Sequence, residues 1–115
     1  MSAEIRTAEI LAVGSELLTP HRLDTNSLYL TGRLNELGVQ VQAKAAVRDH
    51  RATLAAWIGM ALSRADLLIT TGGLGPTDDD VTREAVADAL GRSMRDDADM
   101  LDSIRARFRS RGLEM

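Results

Sequence analysis

Apolar positions along the chain fall into short runs separated by longer periodic stretches, an alternation that predicts strands linked by helices. Ala8 to Val13 is an apolar run interrupted only by Glu9 and ended by Gly14, the length of a first strand. Residues 14 to 23, with Pro20, His21 and Arg22, show no sustained period; they are long for a strand-to-helix connection and mark a candidate working loop. Asp24 or Thr25 can then cap a helix in which Leu30, Leu34 and Leu37 recur at helical spacing, and Gly38 stops it. Val39, Val41, Ala43, Ala45 and Val47 occupy alternate positions, the period of a second strand with one drier face. Leu54, Trp57, Ile58, Ala61 and Leu62 form the clearest amphipathic helix, with Asp49 or His50 at its start. Leu67 to Thr71 is short enough for a third strand buried on both faces. A third helix is expected over Asp80 to Leu90, closed by Gly91, with a small inner face of Val81, Ala85, Val86, Ala89 and Leu90. The last helix is expected to carry Asp96, Asp97 and Asp99 in its first turn and Arg105, Arg107, Arg109 and Arg111 in its last, matching its dipole. Leu101, Ile104 and Phe108 give it one apolar stripe before Gly112.

Helices and strands in this order require an α/β fold with a mainly parallel sheet, whose ligand crevice lies at the carboxyl ends of the strands. Three loops converge there: 14 to 24, 48 to 50 and 72 to 80. At 115 residues the chain, 1 to 115, fits a single domain.

Charge and composition narrow the partners. A net charge of -3 argues against adhesion to nucleic acid or to anionic membranes. Only Tyr29, Trp57 and Phe108 supply aromatic rings besides two histidines, too few for base stacking along a single strand. Without cysteine there is no disulfide framework, zinc-thiolate site or thiol nucleophile. No uncharged stretch is long enough for a signal segment or a membrane span, so a soluble, cytoplasmic protein is expected.

The chemistry concentrates in residues 67 to 82, where a strand breaks into a turn holding Gly72, Gly73, Gly75 and Pro76 and a helix follows. Backbone N–H groups and a positive dipole end would meet there, the ordinary setting for a bound phosphate. Asp78, Asp79 and Asp80 occupy the same place and would repel a phosphate unless a cation lies between, which suggests a divalent metal, most simply magnesium. The turn lacks the third glycine of the dinucleotide fingerprint and the Gly-Lys-Ser/Thr of a P-loop. It can be a tight turn with Asp79 or Asp80 as an ordinary helix cap. In the functional alternative, Gly72, Gly73 and Gly75 admit a pyrophosphate, Thr77 and Thr82 offer hydroxyls, and Asp79 or Asp80 holds magnesium or orients a water. Ser15 lacks the flanking glycines of a nucleophile elbow. His21 and His50 read as surface residues, and Asp49 as either a cap or a carboxylate facing Asp80. The arginine-rich end of the last helix reads as a solvated face.

Residues 71 to 82, Thr-Gly-Gly-Leu-Gly-Pro-Thr-Asp-Asp-Asp-Val-Thr, resemble the signature of the CinA family within the MoaB/Mog molybdopterin-binding superfamily. Gly14-Ser15-Glu16-Leu17-Leu18 is similar to the family's G-[ST]-E-L-L, Asp24-Thr25-Asn26 to its D-T-N, and Val47-Arg48-Asp49 to its V-x-D. The resemblance implies a three-layer α/β sandwich, a phosphate-gripping loop, and a homo-oligomer, dimer or trimer. It also implies that the family domain continues past this chain with further strands and, in full-length CinA, a separate deamidase domain. CinA-type domains are linked to metal-dependent hydrolysis of ADP-ribose, whereas Mog-type relatives adenylylate molybdopterin using magnesium and ATP. Leu74 stands where the Mog branch usually has threonine and favours CinA. Carried over, the resemblance assigns ligand contacts to Gly14, Ser15, Glu16, Asn26, Thr71, Gly72, Gly73, Gly75, Thr77 and Thr82. It places functional aspartates at Asp80 and Asp49; together with the residues' own chemistry, catalysis is expected of Asp49, Asp79 and Asp80, and magnesium at Asp79 and Asp80. The expected activity is that of a pyrophosphohydrolase acting on ADP-ribose-like nucleoside diphosphate sugars. A non-catalytic nucleotide- or pterin-binding unit and a Mog-like adenylyltransferase are the alternatives.

Overall fold

Strand β1 (Thr7–Val13) is buried at every position from Ala8 onward, because it lies between two parallel partners. β2 (Gln40–Val47) pairs along one side and β3 (Leu67–Thr71) along the other, giving the order β2-β1-β3. The structure, a computed structural model, describes residues 4–113. Thr7 stands opposite Gln40 and Val13 opposite Val47, with one irregularity in register between Ala8 and Glu9. β3 departs from expectation: all five of its residues are half-buried, since it has a strand partner on one side only among the described residues. An apolar run reports hydrophobicity, and position within a sheet is set by pairings elsewhere in the chain.

Alternate side chains of β1 feed two cores. Ala8 and Ile10 pack with Leu34 and Val39 beneath α1 (Thr25–Glu36). Leu11 and Val13 pack with Val47, Leu54, Ile58 and Ala85 beneath α2 (Arg51–Arg64) and α3 (Thr82–Leu90). The result is a parallel sheet between helical layers, an α/β fold of the expected class.

Glu9 interrupts the central strand with a charge that is only 1% exposed. Arg64, at the end of α2, binds it with both arms of its guanidinium, Nε at 2.7 Å and Nη2 at 2.8 Å, and Gln42 donates a further bond at 2.9 Å. The Arg64 hydrogen bonds hold the Glu9 carboxyl below its ordinary range, outweighing the burial that pushes it up.

Helix ends show which candidate caps act. Asp24 caps α1, accepting from the Ser27 amide at 3.1 Å, and Gly38 follows at φ 80°. His50, rather than Asp49, caps α2 through Nδ1 and the Thr53 amide. α3 begins at Thr82, two residues later than expected, with no side-chain cap bond, because the Asp80 carboxylate is engaged within the preceding loop. Asp97 caps α4 (Ala98–Ser110), whose last turn holds Arg107 and Arg109; Arg105 lies earlier and Arg111 just beyond. The candidate loop after β1 contains an unexpected 3-10 turn, Ser15–Leu18. Among the described residues no helix is long and apolar enough to cross a membrane.

Candidate functional site

Of the three loops at the carboxyl ends of the strands, the first two are joined to each other by hydrogen bonds and the third is closed on itself. The Gly14 amide donates to the Val47 carbonyl at 2.9 Å, and the Ser15 hydroxyl donates to the Asp49 carboxylate, tying the first loop to the second. At the third, the Thr82 amide donates to the Gly73 carbonyl at 3.2 Å and the Thr82 hydroxyl to the Gly72 carbonyl at 2.8 Å.

The glycine turn is pressed against the end of β1. Gly72 and Gly73 adopt φ of 87° and 70°. A Cβ at Gly72 would lie 2.4 Å from the Val13 carbonyl oxygen, and one at Gly73 would lie 2.2 Å from the Thr82 hydroxyl oxygen. Both conformation and space therefore require glycine. Further along, Asp80 accepts from the Thr77 amide at 3.2 Å and from the Thr77 hydroxyl, closing the loop over Gly75. The Thr77 hydroxyl, with the Gly75 amide behind it, holds the Asp80 carboxyl below the usual aspartate range, so this acid is ionised at neutral pH.

Beside the turn lies a mostly polar cleft of about 190 Å³ between the first loop, the entry to α1 and the end of β3. Glu16, Asn26, Thr71 and Gly72, four residues singled out in the sequence, line it. So do Arg22, Leu23 and Asp24, to which the sequence assigned no ligand. Pockets for whole drug-sized ligands usually measure roughly 300–1,000 Å³, so this volume suits part of a nucleotide. A second depression, about 360 Å³ between Asp24, Ser27 and Leu28 of the α1 end and Lys44 to Ala46 of β2, contains no glycine-turn residue.

The remaining candidate residues have other situations. Thr82 is 1% exposed and its hydroxyl is spent on the Gly72 carbonyl, so it shapes the turn instead of offering a contact to a ligand. Gly14, Ser15, Gly73, Gly75 and Thr77 build the loops around the cleft without lining it. Asp49 and Asp80 are engaged by separate partners, Ser15 and Thr77, and Asp79 is exposed.

Among the described residues no group of three or more histidine or acidic side chains converges to hold an ion. The donors at Asp79 and Asp80 do not make an all-protein cage. They fit the binding habit of magnesium, which uses one or two carboxylates and completes its shell with water and ligand phosphates.

Signals for the missed residues were weak. Arg22 and Leu23 lie in an aperiodic segment, where a solvated arginine and one placed in a cleft look the same; Leu23, 83% exposed at the cleft, is unusual only once its surroundings are known.

Residues 9–113 match a family described as a probable molybdopterin binding domain. A CinA-like protein of Koribacter versatilis is 56% identical over 108 residues, covering 94% of this chain and 26% of that protein. One from Solibacter usitatus is 54% identical, covering 88% and 24%. The chain thus spans about a quarter of the length of these curated relatives. The crystal structure of CinA from Thermoplasma acidophilum, a protein described as of unknown function, superposes with a TM-score of 0.86. It is 33% identical, and the match covers 90% of this chain and 62% of that one. MoaB from Pyrococcus furiosus, a tungsten cofactor synthesizing protein, shares the fold at a TM-score of 0.68 and 23% identity, covering 76% of this chain and 54% of its own. With the family match reaching from β1 to the end of the described residues, the chain belongs to the probable molybdopterin binding domain family, as a CinA-like member of it.

Proposed function

We propose that this domain binds a nucleoside diphosphate sugar of the ADP-ribose type and hydrolyses its pyrophosphate with the help of magnesium. The observation that carries this reading is the Gly72–Gly73 turn, whose backbone is fixed beside a polar cleft at the carboxyl ends of parallel strands. Gly72 offers main-chain groups at the cleft wall, and Asn26 and Thr71 offer neutral hydrogen-bonding side chains for phosphate or ribose. Asp79 and Asp80 would hold the magnesium, which supplies charge neutralisation at the phosphoryl oxygens when bound. Asp80 is suited to that role because the Thr77 amide and hydroxyl fix its carboxylate in place. Asp49, with one carboxylate oxygen taken by Ser15, is assigned the proton of the attacking water. Water adds at phosphorus, the bridging P–O bond breaks, and the products are AMP and ribose 5-phosphate.

A second reading, a nucleotide- or pterin-binding unit without turnover, is favoured by the cleft lining, to which Asp49, Asp79 and Asp80 do not contribute. Incubating the purified chain with ADP-ribose and magnesium and measuring AMP separates the two. Release of AMP that disappears in Asp80→Ala, with the variant folded by circular dichroism, supports hydrolysis. Calorimetric binding of ADP-ribose with no AMP supports the second reading.

A further inference from the structure

Three charged side chains line the cleft, and the two acids are turned to the chain around them. Asp24 caps α1, accepting from both the amide and the hydroxyl of Ser27. Glu16 is folded back over the preceding glycine, where a Cβ at Gly14 would come within 2.5 Å of its Oε1. Arg22 is the third. The ion pairs among the described residues are Arg6–Glu4, Arg33–Glu36, Arg51–Asp88 and Arg64–Glu9, and none involves Arg22. Its guanidinium caps no helix and is exposed at the cleft.

The charge balance of the lining gives this residue weight. With Arg22 there is one positive group against two negative ones; without it, the cleft presents two carboxylates alone. Main-chain and neutral side-chain donors at Gly72, Asn26 and Thr71 can hold one phosphate, but a second phosphate brought among two acids is repelled unless a cation meets it there, and the magnesium acids Asp79 and Asp80 are not in the lining. A planar, five-donor guanidinium fits two phosphate oxygens at once.

We infer that Arg22 is the specificity-determining residue of the cleft: it engages the second phosphate of a nucleoside diphosphate and so selects diphosphates over monophosphates. This rests on the nucleotide-binding reading above. It concerns selection at the ground state and leaves the hydrolytic step to the acids.

The test is calorimetric titration of the full chain with ADP and with AMP at one fixed magnesium concentration. The wild-type chain should bind ADP more tightly than AMP. Arg22→Ala should weaken ADP by about tenfold to a hundredfold, the usual effect of losing a charge-assisted hydrogen bond, while AMP changes little. Arg22→Lys should fall between them, since it keeps the charge and loses the fork. Arg105→Ala, on exposed α4, controls for general loss of positive charge and should leave both affinities unchanged. An unchanged ADP-to-AMP ratio in Arg22→Ala, or an equal loss in Arg105→Ala, overturns the role of Arg22 alone. A wild-type chain that binds neither nucleotide overturns the nucleotide reading and this inference together.

Discussion

A side chain at position 72 would have to displace backbone. Its Cβ would meet the Val13 carbonyl oxygen, part of the central strand, while φ of 87° strains any residue but glycine. Gly91 offers the comparison, with a similar φ of 64° and open space around the site. Gly91→Ala should therefore lose only the conformational term, about 1–2 kcal/mol. Gly72→Ala should lose on the order of 2–4 kcal/mol from strain and overpacking together, which denaturant midpoints would separate. The glycine turn was legible in the chain because glycine, proline and aspartate cluster so densely in residues 72 to 80. The use of each hydroxyl and carboxylate was not. Thr82 has the same place in the motif whether its oxygen faces a ligand or, as here, the Gly72 carbonyl. Asp80 likewise has the spacing of a helix cap but secures Thr77 instead.

Helix α1 shows how much of an element can be read locally. Its cap Asp24, Leu30 and Leu34 and the stop at Gly38 were in the sequence and the helix occupies Thr25–Glu36, but Leu37, expected on the same face, is the C-terminal cap residue and 77% exposed. Asp24→Ala should cost about 1 kcal/mol by removing the acceptor for the Ser27 amide. For a domain of this size, that corresponds to a fall in thermal midpoint of roughly 4–8 °C. α3 was less legible at its start, because the competing hydrogen bond within the loop delays the helix to Thr82. The two apolar strands were individually recognisable, but their places were not: β1 became central and β3 peripheral through pairings that no local window contains. α4 presents the same division. Spacing gives its stripe of Leu101, Ile104 and Phe108, of which Leu101 and Phe108 are half-buried, yet the helix has no fully buried residue.

Acid should loosen the assembled domain in a way that its carboxylates specify. Arg64 lowers the pKa of Glu9, the Arg6 and Thr7 amides that of Asp66, the Thr77 hydroxyl that of Asp80 and Arg51 that of Asp88. A folded-state pKa below the unfolded value means that protons favour the unfolded chain. The stabilisation is complete above the ordinary carboxylate range, near pH 4–4.5, and disappears as pH falls through the lower folded-state values. Thermal midpoints should stay nearly level from pH 7 to about 5 and then drop. Arg64→Met should be destabilised most at neutral pH, and its deficit relative to the native chain should narrow as acid neutralises Glu9. A constant deficit across that range would show that the ion pair contributes nothing specific.

The sheet order also bears on how the chain is made. Of the three strands β1 is made first, and its partners come much later: Gln40 lies opposite Thr7, and Leu67 opposite Ala8. Arg64, the counter-ion for Glu9, is translated only just before the third strand. A nascent chain therefore carries this apolar segment without its full set of strand partners until β3 has emerged, and its acid without a counter-ion until Arg64 is made. During synthesis the future centre of the fold is the stretch most open to mistaken company, and a chaperone or a translational pause would have most effect before that point.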